Sequence, residues 1–265
     1  MKLYYLLFLV CLHVRLFAIP PPNNAIALSL GGASATYLNA FGIENNVGGL
    51  AFSPQQISLN ASNRFGLSEY SNIMLAGNFK SKFASMGFSY QISPIAGLTT
   101  QKAQLGISKK MGNNVAVGVA LNYHRFSSTN AYYHTSKFLT FNAGLYYKIN
   151  KKLNVGFQIF NPNRSTVTSF PFEKTSSLFR VGIDYQFAEN ITCYSDVLQA
   201  THEKLDLNVG LELQKDQYTL RGGFGLKQLI AIGFGWQTKM LNIDVTAAYH
   251  NQLGFSPSLN LVYAF

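Results

Sequence analysis

Arg180, Asp184, Asp206, Glu212, Arg221 and Asp244 are the residues of this chain whose type and setting could do ionic chemistry. Several sit between apolar neighbours, as in Phe179-Arg180-Val181, Ile183-Asp184-Tyr185 and Leu211-Glu212-Leu213. Charges embedded this way are costly to bury alone, so the pattern calls for partners among themselves. Such a network ties one part of a fold to another, or lines a passage and selects among solutes. Arg180 and Asp184 are too far apart for a direct neighbour pair but within range of a cross-strand network. Catalysis finds less support. His124, His134, His202 and His250 have no ligand-like spacing with Cys or carboxylates, so no metal is implied. Asp244 and His250 share a strand face, but six residues of strand put them ~20 Å apart. Asp196, His202 and Glu203 read as lying around an outer loop, where a hydrolase site could sit, yet no nucleophile–base pair accompanies them. The reading is non-enzymatic, with no cofactor. Cys193 is the only cysteine after Cys11, which leaves no internal disulfide and reads as a packing residue.

The elements that must position these charges are strands. Charged residues make up only 12% of the 265 and aromatics 14%, while no apolar run after the N-terminus reaches the ~20 residues of a membrane-spanning helix. Period-two alternation recurs instead. Val115, Val117, Val119, Leu121 and Tyr123 oppose Ala116, Gly118, Ala120, Asn122 and His124. Leu205, Leu207, Val209, Leu211 and Leu213 oppose Asp206, Asn208, Gly210, Glu212 and Gln214. Similar runs cover 139–148, 153–160, 179–187, 241–250 and 258–265, with weaker ones near 56–63, 71–79, 82–92, 101–110, 191–199, 217–224 and 228–237. The total is about fourteen strands, each near the length that crosses a tilted bilayer.

The connections separate a membrane barrel from a soluble sandwich. Those at Lys80–Lys82, Lys110–Asn114, Asn150–Lys152, Ala188–Asn190, Lys215-Asp216 and Thr238-Lys239 are short and polar. The alternate set holds the two longest, Ser127–Ser136 and Asn161–Lys174, together with Asn251–Ser258. Short turns on one side and longer loops on the other are the asymmetry of an outer-membrane barrel. An even strand count returns both termini to the periplasmic side. The net charge of +10 comes from scattered or turn-paired Lys and Arg rather than a phosphate-tracking stripe, which argues against nucleic acid. Tyr132-Tyr133-His134 and Phe170-Pro171-Phe172 in the long loops read as extracellular contacts or loop packing.

The ends differ from the middle. Residues 1–18 have the form of a cleaved signal peptide: Lys2, the apolar run Leu3–Leu12, and Leu16-Phe17-Ala18. Residues 19–55 are rich in small residues, with Gly31–Gly42 read as a short helix followed by Asn45–Pro54. The segment suits a plug inside something larger, the alternative being a disordered lead-in. Gly87, Gly106, Gly118, Gly144, Gly156, Gly182, Gly210 and Gly233 all fall on the polar, inward face in one layer. Glycine weakens a strand unless room or a bend is needed. The layer therefore either curves the wall or receives the plug through Leu50, Phe52 and Pro54. Residues 56–265 form the barrel. Its last strand ends on Tyr263 and Phe265, and this terminal aromatic resembles the signal read by the barrel-insertion machinery.

Several motifs together resemble FadL-type hydrophobic-substrate channels and the PorV/PorQ-type barrels of type IX secretion. They are Gly31-Gly32-Ala33-Ser34-Ala35, Gly49–Gln55 before the first strand, Val155–Pro162 ending in Asn-Pro, and Ala248–Pro257 before the last strand. In that group an Asn-Pro-Ala element precedes the first strand; here only Pro54 carries it, Ser53 and Gln55 departing. The resemblance implies an all-β, up-and-down transmembrane barrel of about fourteen strands with an N-terminal hatch, in the outer membrane of a Gram-negative bacterium. It implies outer-membrane lipid as surroundings and one of two partners: a small hydrophobic ligand crossing a passive conduit, or secretion-system proteins bound to an accessory barrel. A hydrolase is the remote third reading. The inward face reads as sparse in Leu and Phe, which weighs against the conduit. The short loops weigh against the accessory.

Overall fold

The computed structural model describes residues 24–95, 97–128, 135–167, 170–201, 203–226 and 229–265. The signal-peptide expectation for residues 1–18, Tyr132–His134 and His202 lie outside them. Alternating residues in strands build the wall: β1 (Gln56–Asn63), β2 (Ser71–Lys80), β3 (Ser85–Ile95), β4 (Leu98–Lys110), β5 (Val115–Ser128), β6 (Ser136–Lys148) and β7 (Leu153–Phe160). A small hairpin, β8 (Thr166–Val167) and β9 (Phe170–Lys174), stands apart in a connection. The wall continues with β10 (Leu178–Ala188), β11 (Ile191–Ala200), β12 (Asp206–Lys215), β13 (Tyr218–Gly225), β14 (Leu229–Gln237), β15 (Leu241–His250) and β16 (Gly254–Ala264). Each wall strand pairs antiparallel with its neighbours, and β16 returns to β1, closing a fourteen-stranded barrel with no free edge.

Period two sorts side chains to the two faces of the wall. In β16, Phe255, Leu259, Leu261 and Tyr263 are exposed outside, while Ser256, Ser258, Asn260 and Val262 are buried inside. This inversion, apolar outside and polar inside, is what a bilayer demands, since closure satisfies every backbone group within the wall. Aromatics collect near the short-turn rim, with Phe79 against Phe265 at 5.5 Å and Tyr185 against Phe187 at 4.8 Å. Tyr263 faces Ile57 across the β1–β16 seam, and Phe265 follows it, its N–H donating to the Gln55 carbonyl at 3.3 Å.

Several strand ends shift by a few residues, and two differences from the sequence expectation have a clear cause. The final strand begins at Gly254, not Ser258, because Gly254 takes φ 91° and turns the chain straight into the sheet. Pro257 lies within β16 on the outer face, opposite Ala247 but beyond the register of β1, where its missing N–H costs no ladder bond. Gly31–Phe41 is not a helix. Gly31 at φ 67° and Gly32 at φ 103° reverse the chain, and the helical turns lie either side: α1 (Ala25–Ser29), α2 (Gly42–Asn45) and a 3₁₀ turn, Val47–Ala51. Residues 24–53 thread the lumen and, apart from Leu28, Tyr37, Leu38 and Phe52, are buried.

Candidate functional site in the lumen

The plug is held by wall side chains that meet its backbone. Asn60 Oδ1 accepts from the Ala25 N–H at 2.8 Å, and Thr246 Oγ1 donates to the Ala25 carbonyl at 2.8 Å. Gln158 Oε1 accepts from Val47 N–H at 2.6 Å, and Ser108 Oγ donates to the Gly48 carbonyl at 2.8 Å. Asn78 Nδ2 reaches the carbonyls of Leu50, Ser53 and Pro54 at 3.3, 3.2 and 3.0 Å. A segment with so little regular structure has many orphan backbone groups, and the polar inner wall satisfies them.

The glycine layer lies where the plug comes closest. A Cβ built at Gly118 would stand 2.6 Å from the Val47 carbonyl oxygen, and one at Gly144 2.8 Å from the Gly48 nitrogen. At Gly182 it would meet the Ala35 Cβ at 2.7 Å, and at Gly210 the Leu30 Cβ at 2.7 Å. Gly156 is packed against Ala35 and Asn46. A side chain at Gly118, Gly144, Gly156 or Gly210 would have to displace plug backbone, and one at Gly182 would strike Ala35 and the Asp196 carboxylate, so these strands keep glycine for room. Gly223, which packs on Leu30 and Gly31, does the same work and was not singled out in sequence because its neighbour Gly222 blurs the alternation. Leu50 is fully buried against Ile43 and Val47. Phe52 packs on Tyr146 at 5.5 Å. Pro54 is exposed at the rim, and its carbonyl accepts from Asn78 of the wall.

The charged residues form separate clusters rather than one network. Arg221 Nε meets Glu212 Oε2 at 2.7 Å and its Nη1 meets Asp244 Oδ1 at 2.8 Å. Its Nη2 donates to the Tyr37 hydroxyl at 3.1 Å, and that hydroxyl donates to Glu212 at 3.2 Å, which brings the plug into the cluster. Burial holds the Tyr37 phenol well above its usual range, so it serves as a neutral donor. Arg180 does not engage Asp184. It faces Asp196 at 3.9 Å and donates to Ser34 Oγ and the Asn45 carbonyl, while Asp184 accepts from Asn154 at 2.8 Å. Asp206 is buried toward the opposite, long-loop end of the barrel and adds to the negative field around Arg180.

Three charged participants, besides Tyr37, escape the sequence pattern. Asp196, expected around an outer loop, lies within β11, fully buried, accepting the Ser34 and Ala35 N–H groups at 2.8 and 2.9 Å. Its alternation was the available signal: Tyr194, Asp196 and Leu198 share the inward face. Glu44 of the plug pairs with Lys102 at 2.5 Å and accepts from Ser89 at 2.9 Å. Nothing local in the sequence marks that pair.

Beyond the plug, toward the long-loop end, the lining changes. Leu178, Leu198 and Ala200 are buried in a cluster with Phe160, and the Arg180 guanidinium lies 5.4 Å from the Phe160 ring. Phe138 stacks on His124 at 4.7 Å and on Phe126 at 5.5 Å. The inward Leu and Phe are few, as the sequence suggests, but they concentrate at one end of the lumen. Toward the short turns, polar cavities of about 290 and 200 Å³ flank Tyr37 and Leu38.

No family model matches this sequence, and no curated protein matches it either. Solved structures do. The chain is similar to the CymD monoaromatic hydrocarbon channel, with a TM-score of 0.73 at 12% identity over 94% of this chain and 99% of that one. It is similar to the Pseudomonas putida toluene transporter TodX, with a TM-score of 0.71 at 12% identity over 94% and 98%. A Pseudomonas aeruginosa FadL homologue aligns with a TM-score of 0.64 at 12% identity over 94% and 99%. Sequences this divergent share a fold, and the shared fold is that of the FadL-type barrel.

Proposed function

We propose that this barrel is a passive outer-membrane conduit for small hydrophobic molecules, acting without catalysis, with its short turns and both termini in the periplasm. The observation that carries the reading is the division of the lumen: an aromatic and aliphatic lining of Phe126, Phe138, Phe160, Leu178 and Leu198 above a plug seated in the wall. Relatives in fold that are named for hydrocarbons support the choice of ligand. A small apolar solute gains by leaving water for such a lining. Passage then requires the plug to give way, and the cavities beside Tyr37 and Leu38 mark where it has space to move. Lipid on the apolar belt and the barrel-insertion machinery at the Tyr263–Phe265 end complete the proposed partners.

The test is uptake of labelled toluene by cells of a Gram-negative host lacking channels of this type. Expression should raise the rate at low solute concentration, and Leu178→Arg with Phe160→Glu should return it to background while the barrel still assembles. Uptake no faster than in empty-vector cells would overturn the conduit. If a secretion-system protein then co-purified in fixed ratio, the firmly pinned plug would favour an accessory barrel instead.

A further inference from the structure

We infer that the short-turn mouth of the lumen holds a site for a phosphate group, built from Lys110 and Lys148 over Phe52 with Lys80 on the same rim. The three lysines end β2, β4 and β6, and all belong to the inward-facing sets of those strands. Lys148 Nζ lies 4.1 Å from the centre of the Phe52 ring and Lys110 Nζ 4.9 Å from it. Lys80 and Lys148 both feel the positive charge of Lys110, and Lys80 also that of Lys148. The inward residues of the strands between them, Ser85 and Ala116, are small.

Like charges gathered this closely repel, and ordinarily a carboxylate separates them. Here none does. The ion pairs among the described residues lie elsewhere, and from Tyr70 to Phe172 the sequence contains no Asp or Glu at all. Lys82 and Lys109 add to the same sector of the rim, while Lys151 and Lys152, one turn further round, line a cavity with Asp184 and Glu212. Across the barrel the short turns mix signs, with Glu189 and Asp216 beside Lys215 and Lys239. The positive field is therefore strongest along the ends of β2, β4 and β6, where Lys110 and Lys148 lie over Phe52. The ring attracts the ammonium groups and holds them together, but it carries no net charge to neutralise them. A multiply charged anion does. Lysine binds phosphate as a point charge, and three lysines suit a phosphate better than a single carboxylate. This site is independent of what crosses the lumen. The phosphate could be carried by a lipid headgroup or by a soluble molecule, and the two sources are separable.

The experiment uses the full barrel in nonionic detergent at low salt, titrated calorimetrically with inorganic pyrophosphate, with heat-modifiable gel migration as the folding control. Binding is expected, weakening steeply with added salt, and falling at least about tenfold in Lys110→Gln/Lys148→Gln. Lys215→Gln/Lys239→Gln on the opposite rim should leave it unchanged. Native mass spectrometry of the barrel with phosphatidylglycerol or phosphatidylcholine then identifies the source. Preferential retention of phosphatidylglycerol, lost in the first variant, assigns the site to a lipid headgroup; pyrophosphate binding without lipid retention assigns it to a soluble phosphate. Absence of both, or an equal loss in the opposite-rim variant, would overturn the site.

Discussion

At the scale of residues, the lumen is organised by charges whose partners come from separate strands and from the plug at once. Arg221 on β13 joins Glu212 on β12, Asp244 on β15 and Tyr37 of the plug. Removing the cation leaves two carboxylates buried near one another, and breaking such a cluster from one side typically costs about 3–5 kcal/mol. Arg221→Met should therefore lower the urea midpoint of the detergent-solubilised barrel sharply. Adding Glu212→Gln and Asp244→Asn should recover much of the loss. A single variant as stable as the parent would mean that the cluster contributes nothing. The positions of Arg221 and Glu212 on the inward face were legible from alternation. Their pairing was not, because which residues of neighbouring strands oppose each other depends on register.

At the scale of elements, the plug and the glycine layer are complementary surfaces. The plug has little helix and depends on the wall for its hydrogen bonds; the wall gives up side chains at Gly118, Gly144 and Gly223 to let it approach. The wall itself closes through its own backbone ladder and does not need the plug for that closure. Deleting residues 24–53 should leave a barrel that still migrates as a folded species and that opens steady conductance in planar bilayers, where the intact chain stays silent. A silent deletion variant would show that something other than the plug blocks the lumen. Glycine spacing made the layer visible in sequence, since only one strand face carried it. The path of the plug was hidden, because it follows irregular turns set by Gly31 and Gly32 rather than a period.

At the scale of the whole molecule, the outer surface is the evidence for the solvent. Val245, half-exposed near the middle of β15, lies on the apolar face, while its neighbour Thr246 is buried inside on the Ala25 carbonyl. Val245→Arg should cost about 2–4 kcal/mol in lipid, as charge on the lipid face near the midplane does. The measurement is the folding equilibrium in vesicles. An unaffected equilibrium would count against a bilayer around this belt.

The amino-acid sequence by itself determined the architecture: alternation with a polar interior, an even strand count and short turns on one side leave a closed membrane barrel as the outcome. These are local properties, repeated strand after strand, and backbone closure in lipid tolerates few alternatives. Only the tertiary structure decided the interior. It moved Asp196 from a loop to the centre of the plug's anchorage, gave Arg180 its partner, and gathered Phe160, Leu178 and Leu198 into one lining. It also brought Lys110 and Lys148 over Phe52. Such contacts join residues from separate strands and from the plug, and no pattern along the chain encodes which side chains meet once a sheet curls and closes on itself.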